Sequence, residues 1–434
     1  MIRLPPGHDP GTLREVLRWV DPLFGPIRRL ERRHLVPPHP RWWVYAGELS
    51  RVPPGTWYSR QAANAAGASL EPDEALRRAL GEAVERYASL HPPPEDRLVR
   101  LRAGDGDFWG RCPRCAPDEP CSPSMRRLDP RTRLTHARAR RLTDDRPVAV
   151  PAGMAYLSFV PEPREPPVAI PISTGIAFHS EAHRALWNGL CETVERDAVM
   201  LTWWARRSPP RLEIRENEAP DRLVERLERI RRAGLGVHLF DLCADVPIPT
   251  VLCVVTGERA PYFSVGAACV SDSEAAATKA VDEAVYIRLA FGERPRVLPS
   301  VKDFGWVRSL EDHGQLYARW NGSPAFDFLN RSRGPVVTFA EFAARKTWPA
   351  PAGAQDLVAR GKDLEALGLT PLWVDLTVPE AEPLGRVVRV IVPELVPMTH
   401  DHRARWLATP RLLRHAGLRR ATAAAFNPFP QPMA

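Results

Sequence analysis

A chain of 434 residues that is 44% hydrophobic is long enough to bury a sizeable core, either as one large domain or as two or three smaller ones. The net charge is +8, and its basic residues are almost all Arg, with Lys only at Lys279, Lys302, Lys346 and Lys362. No aromatic-interleaved basic helix or zinc-finger spacing accompanies that charge, and no charged N-terminus leads into an apolar run. Nucleic acid and membrane are therefore excluded as expected partners, and the chain reads as cytoplasmic.

In chain order, residues 1–50 read as an N-terminal extension rich in Pro and Arg, with an amphipathic segment over 12–20 and aromatics at Trp42, Trp43 and Tyr45. A Gly-containing turn follows, Ala65-Ala66-Gly67-Ala68-Ser69, and then a helix from Pro72 to Leu90. His91 and three Pro stop it, because Pro has no N–H and pushes the preceding residue out of helix. Residues 92–147 are loop-rich and hold Cys112, Cys115 and Cys121. Three thiolates lack the fourth ligand of a closed zinc site unless His91 or His136 supplies it; loop cysteines without a metal are the preferred reading. Seven Cys, an odd number without a signal peptide, argue against a disulfide framework, and Cys191, Cys253 and Cys269 read as packing residues.

Val148–Phe159 reads as extended, and residues 161–167 as a connector. The stretch Ile172–Trp204 then gives a turn, Ser173-Thr174-Gly175, and a long helix with Ser180 as N-cap and Leu186, Leu190, Val194 and Leu201 as its buried stripe. Strand character returns at 235–242, 250–256, 262–268 and 387–392, and a third helix spans 274–290. No GxxxxGK[ST] or GxGxxG occurs, so neither a P-loop nor a dinucleotide fold is supported, and the expected class is α+β.

One pattern occurs twice. Residues 78–88, RALGEAVERYA, and 188–198, NGLCETVERDA, align without gaps on a Glu-x-Val-Glu-Arg core. Two carboxylates three residues apart project from one helix face and repel unless a cation lies between them. The bland reading is two solvated helices with surface Glu–Arg pairs. Its repetition favours the alternative, in which Glu82, Glu85, Glu192 and Glu195 face a shared space. Oxygen ligands with no His or Cys suit magnesium, which usually binds together with substrate phosphates, so a nucleotide is the natural companion. On the third helix Arg288 is a candidate phosphate contact or a plain surface charge.

These residues resemble the YcaO superfamily, in particular the ATP-dependent cyclodehydratases that form thiazoline and oxazoline rings in ribosomally made peptides. The resemblance runs from about residue 20 onward and rests on 79–88, RRLTDDRPVAVPA (140–152), 174–198, SLEDHGQLY (309–317), 374–398 and the alternating Pro428, Pro430 and Pro432. It implies a YcaO catalytic domain over 51–434, with a Pro-rich tail at 426–434 and ATP and Mg2+ held between helices and a β-sheet. It also implies metal ligation by Glu82, Glu85, Glu192 and Glu195. Ser69, Arg86, Thr174, Gly175, Ala177, Ser180, Arg196 and Arg288 would lie along the nucleotide, and Pro428, Pro430 and Pro432 would act at the reacting amide. The implied partners are a precursor peptide, a separate ThiF-like protein that binds its leader and a flavin dehydrogenase, with a homodimer left open.

Three departures stand out. Many relatives carry Gly-Lys-Gly where this chain has Ala65-Ala66-Gly67, Arg184 stands where a Glu is common, and Arg78 replaces a small residue one turn before Glu82. The alternatives to ring formation are a thioamide- or amidine-forming YcaO enzyme and a non-catalytic scaffold for the precursor. The proline pattern counts against the first, and retention of all four Glu against the second.

Overall fold

The computed structural model describes residues 15–33, 35, 39–50, 64–105, 108–292, 296–330 and 334–434. Strands β1 (Ile27–Arg33), β2 (Trp43–Leu49) and β3 (Asn64–Ser69) form an antiparallel sheet in that order. Strands β1 and β2 are therefore not part of an extension. They share a sheet with β3 across the expected boundary at residue 50, and Ile27, Val44 and Leu49 are buried. The boundary itself, the first fourteen residues and the start of the amphipathic 12–20 segment lie outside the described residues.

Helix α1 (Pro72–Ser89) packs on β3 and β2. Pro72 suits the first helical turn, where an N–H has no partner, and Asp73 and Glu74 complement the helix dipole. A six-stranded sheet contains β4 (Leu98–Arg102), β5 (Arg133–Arg141), β6 (Pro147–Pro151), β7 (Ile176–His179), β13 (Leu372–Asp375) and β14 (Arg386–Ile391), in the order β4-β5-β13-β14-β7 with β6 also on β5. The strand expected over 148–159 ends at Pro151, and a short helical turn follows at Ala152–Ala155.

Helix α2 (Ala182–Ala205) lies against β14, β7 and β11. Its N-cap is Glu181 in extended backbone, with no side-chain cap bond, so Ser180 does not cap it. The expected stripe Leu186, Leu190, Val194 and Leu201 is buried, but so are Trp203 and Trp204 and much of the opposite face, because protein surrounds the helix. A five-stranded sheet, β11-β10-β9-β8-β12, completes the core: β8 (Arg211–Glu213), β9 (Gly236–Asp241), β10 (Thr250–Thr256), β11 (Phe263–Cys269) and β12 (Val336–Thr338). Helix α3 (Asp221–Arg232) packs on β9 and on α4 (Ser273–Gly292), which covers β10 and β11. Helix α5 (Leu310–Arg319) begins with Ser309 accepting the Asp312 N–H and leans on α4 and β11. Among the described residues no helix is long and apolar enough to cross a membrane.

Cys112, Cys115 and Cys121 are buried, and the latter two sit in an apolar cluster with Ala404 and Trp406. Nδ1 of His91 engages Tyr87 O, and Nδ1 of His136 engages Leu134 O.

Candidate active site

The three helices α1, α2 and α4 turn their acidic faces into one cleft of about 1060 Å³. Glu82, Glu85, Glu192 and Glu195 all line it, together with Arg86, Arg196, Thr174 and Ala177. Backbone N–H groups fix the carboxylates one by one. Glu82 Oε2 accepts from Ala66 N at 2.8 Å, and Glu192 Oε2 from Gly175 N at 3.2 Å. The second Glu of each couplet reaches a strand that does not precede its own helix: Glu85 Oε1 takes Phe178 N of β7 at 2.8 Å, and Glu195 Oε2 takes Cys269 N of β11 at 3.0 Å. Each couplet therefore ties its own helix to the segment before it and to the next strand–helix unit. Each of these carboxylates has one oxygen held by backbone; the other oxygen of Glu82 pairs with Arg86 Nη2 at 3.1 Å and that of Glu195 with Arg196 Nη1 at 3.1 Å, while that of Glu192 lies 3.9 Å from Arg196 Nη2.

Helix α4 supplies a third, incomplete copy. Glu283 Oε2 accepts Ala267 N at 2.9 Å, as Glu82 accepts Ala66 N, while Tyr286 occupies the place of the second Glu. Strands β3 and β11 approach their helices closely enough that a Cβ on Gly67 or Gly266 would meet helix backbone at 2.1 Å or 2.4 Å, so only Gly fits there. Gly175 adopts φ +84°, the left-handed region, which aims its N–H at Glu192.

Crowding shows in the electrostatics. Burial raises Glu85 to about 8, against the lowering effect of the Phe178 N–H, with the Glu192 and Glu82 charges adding to the rise. Burial likewise raises Glu195 to about 7 despite the neighbouring Arg196, and it raises Glu192. Glu192 keeps 29% of its side chain exposed to the cleft, whereas Glu195 keeps 4%, so the enclosing walls rather than complete coverage withdraw water from Glu192. Burial pulls Arg196 down, but Glu195, Glu283 and Glu192 together outweigh it and push its guanidinium up.

Other expected contacts fall elsewhere. Ser69 is fully buried and its hydroxyl joins Glu71, Glu74 and Arg226 beneath the end of β3. Ser180 is exposed and does not line the cleft. Arg288 is buried with Nη1 on Pro261 O; five residues beyond Glu283 at 100° per residue, it points away from the face that carries Lys279, Glu283 and Tyr286 into the cleft. Lys279 and Arg78 take its place as cations of the lining. The signal was available, since Lys279 and Glu283 repeat the spacing of Arg78 to Glu82 and Asn188 to Glu192.

The tail is ordered and mostly buried: Phe426, Asn427, Pro430, Gln431, Pro432 and Met433 are covered, while Pro428 is exposed. None of the three prolines lines the cleft; Ala434 does, beside Met398 and Leu310. The prolines therefore do not touch the cleft contents and are placed to stiffen the segment that leads there.

The residues fit a magnesium–nucleotide pair. Among the described residues no three His, Cys, Asp or Glu group closely enough to hold an ion by themselves. Thr174 Oγ1 and Arg196 Nε are buried beside the cleft without a hydrogen-bond partner, donors that an incoming polar ligand would satisfy.

Comparison with known proteins agrees. Residues 66–396 match the family described as YcaO cyclodehydratase, ATP- and Mg2+-binding. The chain belongs to the YcaO family. Its cofactors are thus ATP and Mg2+, and its fold recurs in solved YcaO structures. A heterocyclase in complex with substrate and cofactor superposes with a TM-score of 0.77 at 21% identity, covering 97% of this chain and 57% of its own. YcaO from Methanopyrus kandleri, bound with AMPPCP and Mg2+, gives 0.61 at 21% identity, covering 85% of this chain and 86% of its own. A chain of the E. coli microcin synthetase McbBCD complex gives 0.57 at 14%, covering 92% and 96%. This YcaO chain spans little more than half the length of the first of these.

Proposed function

We propose that this YcaO protein is the ATP-dependent cyclodehydratase component that converts Cys, Ser or Thr of a ribosomal precursor peptide to thiazoline or oxazoline. The observation that carries this reading is the meeting of two features at one cleft: an oxygen-rich acidic lining with Arg and Lys, and a proline-stiffened segment whose last residue, Ala434, reaches the same wall. Glu82, Glu85, Glu192 and Glu195 would hold the metal through the oxygens that backbone does not engage. Arg86, Arg196 and Lys279 would neutralise phosphate charge, while Arg78 on the same wall is paired with Asp282 and Glu74. ATP supplies a phosphoryl group that makes the former amide oxygen a leaving group once the peptide's own thiol or hydroxyl has added to the carbonyl carbon. Elimination from the ring formed by that addition would then release the oxygen as phosphate, with loss of the amide proton to form the C=N bond. The chain's work is positioning and charge neutralisation, which suits a site without an evident nucleophile.

A leader-binding protein of the ThiF-like kind and a flavin dehydrogenase that oxidises the rings complete the proposed set; support comes from the McbBCD neighbour being a complex and from the longer heterocyclase chain. The test is mass spectrometry of a Cys-, Ser- and Thr-containing candidate precursor incubated with the protein, its partner, Mg2+ and ATP. Loss of one water per ring supports azoline formation. Exchange of an amide oxygen for sulfur would make the protein a thioamide-forming enzyme, loss of water by attack of an amine an amidine-forming one, and an unchanged peptide with no ATP consumed a scaffold.

A further inference from the structure

The proline-rich segment is an unusual guest. Pro428, Pro430 and Pro432 have no N–H, so the segment presents carbonyl oxygens with few donors. The groove that receives it is the complement, a row of side-chain donors. Arg405 Nη1 donates to Asn427 O at 3.2 Å, and Trp203 Nε1 to Phe429 O at 3.1 Å. Tyr317 Oη donates to Pro430 O at 2.5 Å, and His313 Nδ1 meets Gln431 O at 2.7 Å. The His313 Nε2 contact to His400 O is longer, 3.3 Å, which places the ring proton on Nδ1, toward the tail. The N–H groups of Asn427, Phe429 and Met433 are met by Trp204 O, by the Asn427 side chain and by the Gln431 side chain respectively.

These donors are nearly dehydrated: Trp203 is 2% exposed, Tyr317 2%, His313 0% and Arg405 7%. Buried donors without acceptors are costly, so a groove built this way is stable only when filled. His313 and Tyr317 stand four residues apart on one face of α5, and Leu310, one turn earlier on the same helix, lines the cleft with Ala434. One rigid helix thus touches both the cleft and the segment that ends in it. His313 and Tyr317, which the cleft itself does not use, acquire a task.

We propose that Trp203, His313, Tyr317 and Arg405 form a clasp that seats residues 427–434 against the cleft, with His313 and Tyr317 as the positioning residues that set where Ala434 lies. The consequence for catalysis rests on the azoline-forming reading above; the docking does not.

The test compares Tyr317→Phe, which removes a single oxygen, and His313→Ala with the wild type and with His313→Asn, which keeps an N–H donor near the Nδ1 position. Hydrogen exchange over 427–434, thermal midpoint, affinity for Mg2+ with a non-hydrolysable ATP analogue, and ring formation on a peptide the wild type cyclises are measured together. Tyr317→Phe and His313→Ala speed exchange of the tail by about tenfold. They lower kcat for ring formation by on the order of tenfold while peptide KM and nucleotide affinity stay near wild type, and the thermal midpoint falls less in Tyr317→Phe than in His313→Ala. His313→Asn recovers most of both losses. Tail exchange equal to wild type in both variants overturns the clasp. A loosened tail with ring formation at the normal rate overturns its positioning role. A wild type that forms no ring on any peptide sinks the azoline reading, and the exchange data still decide the clasp.

Discussion

Two charged clusters share helices α1 and α4, yet they are built in opposite ways. Behind the cleft, Arg226 is 2% exposed and fully matched: it donates to both oxygens of Asp282, to Ser69 and to Glu71. Asp282 also receives Trp42 Nε1 at 2.8 Å and Arg78 Nη1 at 2.9 Å. In the cleft itself Glu85, Glu192 and Glu195 crowd together with raised proton affinities, and Arg196 is shared among Glu192, Glu195 and Glu283 at 3.9, 3.1 and 3.8 Å. A network centred on the buried Arg226, with its charges paired even where Asp282 and Arg78 reach the cleft wall, stabilises the scaffold. An open one with carboxylates in surplus is set for a ligand, and its imbalance is tolerable because the scaffold behind it is not strained.

Removing a member of each cluster should separate the two roles. Arg226→Met keeps volume but leaves Asp282 short of its main partner, and stability should fall by roughly 3 to 5 kcal/mol, read from urea unfolding. ATP turnover per folded molecule should stay close to normal, because Arg226 does not line the cleft. Glu192→Gln should do the reverse. Turnover drops by about a hundredfold, as for loss of one electrostatic contact in a preorganised site, while the ligand-free thermal midpoint holds or rises because a crowded charge is gone. Equal loss of stability in both variants would erase the contrast.

A smaller effect concerns the tail side. His313 is lowered to about 4 and His402 to about 3, in both cases mainly by burial. An unfolded chain takes up those protons near pH 6.5, whereas the folded chain refuses them until about 4 or 3, so the unfolded state binds more protons within that window. Stability should therefore decline as pH falls from 6.5 toward 4, by on the order of 1 kcal/mol per pH unit for each ring. Urea midpoints across that range should show a shallower slope in His313→Gln.

How much of this was legible in the sequence follows the range of each interaction. The Glu couplets could be read because both carboxylates sit on one helical turn, and their repetition announced a shared site. The α4 contribution was missed by taking Arg288 instead of Lys279, a wrong choice of face that counting residues from Glu283 would have avoided. Strand β1, IRRLERR, was hidden by its charge: it is an edge strand whose only described strand partner is β2, and composition alone made it look like an extension. The alternate prolines announced stiffness. The groove could not be foreseen, because its donors come from residues 203, 313, 317 and 405, which only the folded chain brings together.

The central claim is that the surplus carboxylates of the cleft hold the metal through which nucleotide binds. Calorimetric titration with a non-hydrolysable ATP analogue tests it directly, with and without Mg2+, on the wild type and on Glu192→Gln and Glu85→Gln. Binding should require Mg2+ and weaken by at least about tenfold, or 1.4 kcal/mol, in each variant. Equally tight binding without the metal, or in both variants with it, would contradict it.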